Sequence, residues 1–334
     1  MYFSGKKLLV IGGTGTIGKS IVHSIIKENP KVIRIFSRDE YKQHQLQNEL
    51  GKNDKLRFII GDIRDYDSLF AAMQDIDYVF HLAAMKHVDS CEYNPYEAVR
   101  TNVHGTKNVI KAAISQNAKK VIFTSSDKAI SPTNTYGATK LIAERLISSA
   151  EYSKAEGQTI FASVRFGNVM GSRGSVIPLF KEQVLKDKKI TVTDKSMTRF
   201  MMSLSQATHL TIKALKEAKG GEVFVLKMPV VQLGDLADII IEETCKKYSL
   251  KREEIDVEVM GLRPGEKMFE ELMTYDESEV AWELSDMYII SGNSNMKVIY
   301  SNAKKATPGT YSSTGQPPLK VKELRVLLKE TDLY

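Results

Sequence analysis

The feature that most constrains this chain is a glycine triad, Gly13-x-Gly15-x-x-Gly18, set between an apolar run at Lys7–Ile11 and an amphipathic stretch at Ile17–Lys27. Alone the pattern is weak. Between a predicted strand and a predicted helix it is specific, because the glycines let the backbone approach a pyrophosphate and the helix N-terminus adds amide donors and positive partial charge. Further short apolar runs follow at Val32–Phe36, Leu56–Ile60, Tyr78–His81, Lys120–Thr124 and Thr159–Val164. Helical patterns at Ser68–Met73, Ala98–Asn117 and Tyr136–Tyr152 lie between them. Strand–helix–strand repetition implies right-handed crossovers and a parallel sheet covered on both faces.

The predicted fold class is therefore α/β, a Rossmann-type doubly wound parallel sheet with a smaller C-terminal substrate lobe. Residues 1–165 read as the dinucleotide-binding domain and 166–334 as the lobe, partly interleaved with it. Past Arg165 the rhythm loosens, and Gly171, Gly174 and Pro178 read as interruptions of a loop. Helical patterns at Gln206–Ala218 and Leu233–Tyr248 then alternate with isolated strand runs at Val223–Leu226 and Ile255–Met260. Ala303–Pro318 reads as loop, and Val321–Lys329 as a last helix.

Cofactor contacts are expected from Gly12, Thr14, Gly15, Thr16, Ile17 and Gly18. The second strand run ends in Ser37-Arg38-Asp39. An acidic residue there would hold the ribose hydroxyls of NAD, whereas an arginine suits the 2′-phosphate of NADP. With Lys42 four residues on, NADP is the expected cofactor. Asp62 stands where an adenine edge would be read, next to Ile63. Ala83 and Ala84 are small enough for close backbone approach, and Asn102 and Ser125 join the expected cofactor set.

Tyr136 and Lys140 are four residues apart and share a helix face. Near an ammonium and an oxidised nicotinamide, a buried tyrosine is expected to have a lowered pKa and to accept a hydroxyl proton as hydride leaves. Ser125 and Ser126 close the fifth strand run at the sheet edge where open α/β sheets bind ligands. Asp127 and Lys128 follow at once. Both Tyr136 and Lys140 are also expected to touch the cofactor.

Composition narrows the classes. The formal charge of +6 comes from scattered Lys and Arg, with no basic run interleaved with aromatics, so a nucleic-acid partner is not expected and an anionic small substrate explains the bias. No apolar run approaches the ~20 residues that span a bilayer. Cys91 and Cys245 have no metal-ligand spacing and form no disulfide framework, which fits a reducing cytoplasm. The first strand run begins near Lys6 and leaves no room for a signal peptide; a cytoplasmic protein is expected.

The glycine triad, the Ser125-Ser126 strand end and Tyr136-x-x-x-Lys140 resemble the extended short-chain dehydrogenase/reductases that act on nucleotide sugars. Ser-Ser-Asp-Lys-Ala at 125–129 is similar to the UDP-N-acetylglucosamine 4,6-dehydratases, including those that invert C5. Further matches are Phe36-Ser37-Arg38-Asp39-Glu40, Gly61-Asp62-Ile63-Arg64-Asp65, Lys86-His87-Val88, Arg165-Phe166-Gly167-Asn168-Val169, Ser172-Arg173-Gly174-Ser175-Val176, Met197-Thr198-Arg199-Phe200 and Arg263-Pro264-Gly265-Glu266-Lys267. They cover about residues 5–290. The resemblance implies Asp127 as acid, Lys128 as a partly neutral general base, and Tyr136 with Lys140 for the hydride step. A UDP-sugar would meet Lys86, Ser126, Asn168, Arg173, Val176, Arg199, Arg263 and Glu266, with the arginines facing its two phosphate charges. A homo-oligomer is expected by analogy. A UDP-hexosamine 4-epimerase and an NADP-binding protein without catalysis stay open as rivals, and C5 inversion is not decided by these residues.

Overall fold

The computed structural model describes residues 1–153, 159–172, 174–262, 265–290, 300 and 302–331. The first half alternates as expected: β1 (Lys7–Ile11), α1 (Thr16–Ile26), β2 (Val32–Ser37), α2 (Glu40–Leu50), β3 (Leu56–Ile60), α3 (Tyr66–Ala72), β4 (Tyr78–His81), α4 (Val88–Tyr93), α5 (Pro95–Ala98), α6 (Gly105–Ser115), β5 (Lys120–Thr124), α7 (Thr135–Ser153) and β6 (Ile160–Arg165). The second half runs β7 (Asn168–Val169), α8 (Val176–Asp187), β8 (Lys189–Val192), β9 (Thr198–Met202), α9 (Leu204–Glu217), β10 (Val223–Leu226), β11 (Val230–Gln232), α10 (Leu233–Tyr248), β12 (Asp256–Val259), β13 (Glu271–Met273), α11 (Tyr275–Val280), β14 (Ala281–Glu283), β15 (Met287–Ile290), β16 (Lys304–Lys305), β17 (Tyr311–Ser312) and α12 (Val321–Lys329).

Among the described residues the main sheet has the order β16-β14-β15-β10-β6-β5-β4-β1-β2-β3. From β10 to β3 every neighbouring pair is parallel, and β15 adds antiparallel to β10. The strand order reverses between β1 and β4, which opens a crevice at their carboxyl ends. The central strands alternate between two cores. Leu8 and Val10 of β1 pack with Ile21, Val22 and Ile25 of α1 on one face. Leu9 and Ile11 pack with Leu69, Val109 and Ile147 of α3, α6 and α7 on the other. Burial on both faces is why these strands read as unbroken apolar runs. A third core, with Phe180, Ile240 and Leu324 among its members, joins α8, α10 and α12. β10 and β15 return from the second half to the main sheet. Among the described residues no helix is long and apolar enough to cross a membrane.

Four segments differ from the expected pattern. α2 carries no helical stripe because its buried face is made of Gln43 and Leu46. The Gln43 amide donates to Ser37 O, Ser37 Oγ and Ile59 O, so polar bonds do the anchoring that apolar residues usually do. The stretch expected to be interrupted by Pro178 is helix α8; Pro178 is its third residue, in the first turn, where no amide partner is required. The expected helix Ala98–Asn117 starts with a π-helical turn at Val99–His104 before α6. Within Ala303–Pro318 the two-residue strands β16 and β17 interrupt the loop.

Candidate active site

A cleft of about 1250 Å³ opens at the β1/β4 reversal and runs toward α8. Its floor is the glycine turn. Gly12 has φ +81°, and a Cβ there would lie 2.8 Å from Ala83 N, so backbone meets backbone with no space for a side chain. α1 starts at Gly15 with no side-chain cap, and Thr14, Thr16, Ile17 and Gly18 line the cleft, as do Ile63, Ala83 and Ala84. Ser125 Oγ is buried on the same wall and makes no hydrogen bond within the described residues. Close backbone approach, a helix N-terminus and an orphaned hydroxyl fit a dinucleotide.

The edge beyond β2 is charged. Asp39 caps α2, accepting from Lys42 N at 3.0 Å, and its carboxylate is 2.6 Å from Lys42 Nζ. Arg38 is half-exposed and, with Ser37 and Lys42, lines the cleft. Asp62, expected to read an adenine edge, is not among the residues lining the cleft, although its neighbours Gly61 and Ile63 are. Its carboxylate accepts from Arg64 Nε at 2.8 Å and Arg64 N at 2.9 Å, and it lies 3.7 Å from Arg38 Nη1. Those contacts hold its pKa below the carboxylate norm in spite of burial, and they orient Arg38 instead.

The catalytic residues expected from sequence come together on one wall. Ser126 caps a 3-10 turn at Asp127–Ala129, and its hydroxyl donates to Asp127 Oδ1 at 2.7 Å. Lys128 Nζ donates to both Asp127 oxygens at 3.2 Å. Tyr136, at the start of α7, bonds Ser126. A Cβ on Gly137 would lie 2.1 Å from Lys128 O, so α7 sits flush on the Asp127 turn. Lys140 Nζ donates to Thr124 O at 2.5 Å and lies 4.0 Å from the centre of the Phe123 ring.

The surrounding side chains reverse the pKa direction expected for Lys128. Burial works to lower the pKa of Lys128, but Asp127 and Glu270 outweigh it, and the amine is held as an ammonium above its usual range. Burial raises the Tyr136 phenol, and the Ser126 bond and the Lys128 charge only partly oppose it. Lys140 is the amine that burial pushes down, to about 7, with Glu144 the opposing carboxylate.

The remaining expected residues divide. Lys86, Asn168 and Val176 of the substrate set line the cleft, with His87 beside them. Asn102 of the cofactor set and Arg199 of the substrate set do not. Asn102 stands in the π-helical turn, where its amide bonds Met85 N, Met85 O and Thr139 Oγ1 and ties the β4 loop to α7. Arg199 is buried and donates to the carbonyls of Thr198, Lys267 and Met268, so its charge faces backbone rather than phosphate. Glu266 turns away to Thr193 Oγ1 and lies 3.7 Å from Arg199. Arg173 and Arg263 lie outside the described residues.

One member of the cluster was not anticipated. Glu270, with a side chain 6% exposed, lies 3.5 Å from Lys128 Nζ and 3.8 Å from Arg199 Nε. No local signal in Phe269-Glu270-Glu271-Leu272-Met273 marks it, since Glu270 meets Lys128 only through the fold.

A Tyr-x-x-x-Lys helix laid beside a dinucleotide cradle is the frame of the short-chain dehydrogenase/reductase enzymes. Comparison with known proteins agrees. A sequence profile described as polysaccharide biosynthesis protein matches residues 8–292. The X-ray structure of Pen from Bacillus thuringiensis is 61% identical, with a TM-score of 0.94 and both chains covered at 100%. A Campylobacter jejuni protein named UDP-N-acetylglucosamine 4,6-dehydratase (inverting) is 36% identical over 343 residues, 99% of each chain. A Rickettsia felis protein named UDP-glucose 4-epimerase is 39% identical over 339 residues, 99% of this chain and 97% of its own. The chain belongs to the polysaccharide biosynthesis protein family, within the short-chain dehydrogenase/reductases.

Proposed function

We propose that this enzyme is a UDP-N-acetylglucosamine 4,6-dehydratase that uses NADP and forms a UDP-4-keto-6-deoxy-hexosamine with inversion at C5. The observation that carries the reading is the packing of the Asp127–Lys128 turn against the helix of Tyr136 and Lys140, on one wall of one cleft. Hydride removal from a sugar carbon asks for one proton acceptor; elimination of water across the next two carbons asks for a base and an acid as well. A bound nicotinamide would supply the hydride acceptor for C4 and the donor for C6. Tyr136, whose phenol the positive charge of a bound nicotinamide would lower in pKa, takes the proton of the C4 hydroxyl as a phenolate bonded to Ser126. The resulting ketone acidifies C5. Lys128 removes the C5 proton, and Asp127 protonates the C6 hydroxyl, which departs as water.

NADP is supported by Arg38 at the cleft edge and by Asp39, whose carboxylate is already engaged by Lys42 and the α2 cap. Inversion is supported by the printed name of the Campylobacter jejuni relative. The Rickettsia felis name favours a 4-epimerase instead, and that reaction leaves Asp127 and Lys128 without a task.

Incubation with UDP-N-acetylglucosamine in deuterated water, with NADP and NAD in parallel, separates these readings. The proposal expects a product lighter by one water, faster with NADP, deuterated at C5, with ring couplings of the inverted sugar. Substrate deuterated at C4 carries its label to C6, and no net NADPH absorbance builds up. A product of unchanged mass makes the enzyme an epimerase, and stoichiometric NADPH makes it a simple dehydrogenase.

A further inference from the structure

Lys128 lies between two carboxylates, and they face different ways. Asp127 lines the cleft and bonds Ser126. Glu270 stands on the other side of the amine, off the cleft wall, its backbone fixed by Ser313: Glu270 N donates to Ser313 Oγ at 3.0 Å and Ser313 N donates to Glu270 O at 2.8 Å. Its oxygen has Lys128 Nζ at 3.5 Å and Arg199 Nε at 3.8 Å. The other charged groups near it are Lys267, whose Nζ is committed to Ile130 O and Ser131 O, and Glu266, turned to Thr193 and Arg199; Tyr136 approaches Lys128 from α7.

This arrangement meets a difficulty in the proposed reaction. Lys128 is held as an ammonium, yet a base must be an amine. We propose that Glu270 is a positioning residue that stores the Lys128 proton, accepting it across the 3.5 Å gap and so releasing the amine that takes the C5 proton. The inference rests on the dehydratase reading. The Nζ–H bond breaks as an O–H bond forms on Glu270, with no electrons exchanged. Lys128 then takes the C5 proton and passes it to Asp127, 3.2 Å away, which delivers it to the departing C6 hydroxyl. The cluster ends the elimination with the number of protons it had after the first transfer. Arg199 stays charged throughout and is the fixed cation beside Glu270. Burial and the neighbouring Asp127 charge raise the Glu270 pKa, in the direction that lets the carboxyl hold a proton.

The test uses Glu270→Gln and Glu270→Asp in the full-length enzyme, with two readouts. The first is the rate of water loss against pH. Wild type is expected to be flat through neutrality, because the proton moves internally. Glu270→Gln has no acceptor and must lose the proton to solvent, so its rate falls roughly 10²-fold at pH 7, the low end for loss of general-base action, and climbs with pH. Glu270→Asp keeps a carboxylate but sets it farther from the amine, so its profile falls between wild type and Glu270→Gln. The second readout needs no turnover: acetic anhydride labelling of the Lys128 amine, followed by peptide mass spectrometry. Removing the carboxylate lowers the pH midpoint of labelling by about one to three units. If Glu270→Gln does not fold, Glu270→Asp decides alone, since drawing the carboxylate back by one methylene lowers the midpoint and a packing role does not. An unchanged rate overturns the inference, and so does a loss equal at every pH with an unshifted midpoint. A wild-type enzyme that forms no water-loss product overturns the reaction assignment instead, and the midpoint still reports the Lys128–Glu270 coupling.

Discussion

Two ion clusters among the described residues are built differently. In one, Arg165 is fully buried and its guanidinium donates to both oxygens of Glu144 at 3.1 and 2.5 Å, both oxygens of Glu277 at 2.9 and 3.0 Å, and Leu272 O at 2.8 Å. Those five bonds use every N–H that an arginine has. In the other, Lys128 meets Asp127 at 3.2 Å and Glu270 at 3.5 Å, and Arg199 stands 3.8 Å from Glu270. The first cluster is closed: no proton can move without losing a bond. The second has slack in its distances and a wall open to the cleft. A buried charge that is completely bonded fixes structure, and one that is loosely bonded is available for chemistry. Their positions agree. Glu144 is one helical turn past Lys140 on α7, and Arg165 ends β6, so the closed cluster secures the helix that the open one works beside.

Substitution in each cluster tests the contrast. Lys128→Ala should lose water elimination by roughly 10²–10⁴-fold, the scale of general-base catalysis, and still fold and bind its nicotinamide cofactor. Circular dichroism with a single-turnover assay checks it; wild-type dehydration would end the base assignment. Arg165→Met should act the other way, costing about 3–5 kcal/mol of stability because buried Glu144 loses its hydrogen-bonded cation and Glu277 is left with Thr274 N and Arg145. Urea unfolding measures the loss, and turnover per folded molecule should change less than in Lys128→Ala. If Arg165→Met proves as stable as wild type, the closed cluster is not structural. The smallest effect concerns Lys140, a buried cation outside both clusters, with a pKa near 7 against about 10.4 for a free lysine. Between those values the unfolded chain binds more protons at this site than the folded one, so the site's contribution to stability rises with pH, by at most ~1.4 kcal/mol per unit. Unfolding at pH 7, 8 and 9 should show that rise in wild type and a flatter line in Lys140→Met. Parallel lines would mean that the amine is not shielded from water.

Local pattern and distant partnership were unequally legible. Strands β1 to β6 were visible to within a residue or so at their ends, because all but the edge strand β3 are largely buried on both faces. α10 and α12 were visible from their periodicity. α2 was hidden because a glutamine makes its packing contacts, and α8 because a proline suggests a break wherever it falls. In the site, Ser126, Asp127, Lys128, Tyr136 and Lys140 could be assembled from spacing and family resemblance. The charge state of Lys128 could not, since it depends on Glu270, far along the chain and adjacent only after folding. The same holds for Arg199, whose side chain is claimed by carbonyls of residues 267 and 268. Sequence shows which groups are present; which of them neutralise each other is decided by the fold.

The contact at Gly137 has a further consequence. With no space for even a methyl group between α7 and the carbonyl of Lys128, the two catalytic segments form one interlocked block. Insertion of a residue on either side would displace both. Change of reaction type on such a frame must come through the identity of side chains at fixed coordinates, above all at 127 and 128, rather than through movement of the backbone. The block also shifts the burden of motion to the ligand: if C4, C5 and C6 are served in turn, the sugar ring must move past stationary groups. Room for that movement, more than reach of any residue, then sets which sugars the enzyme can process.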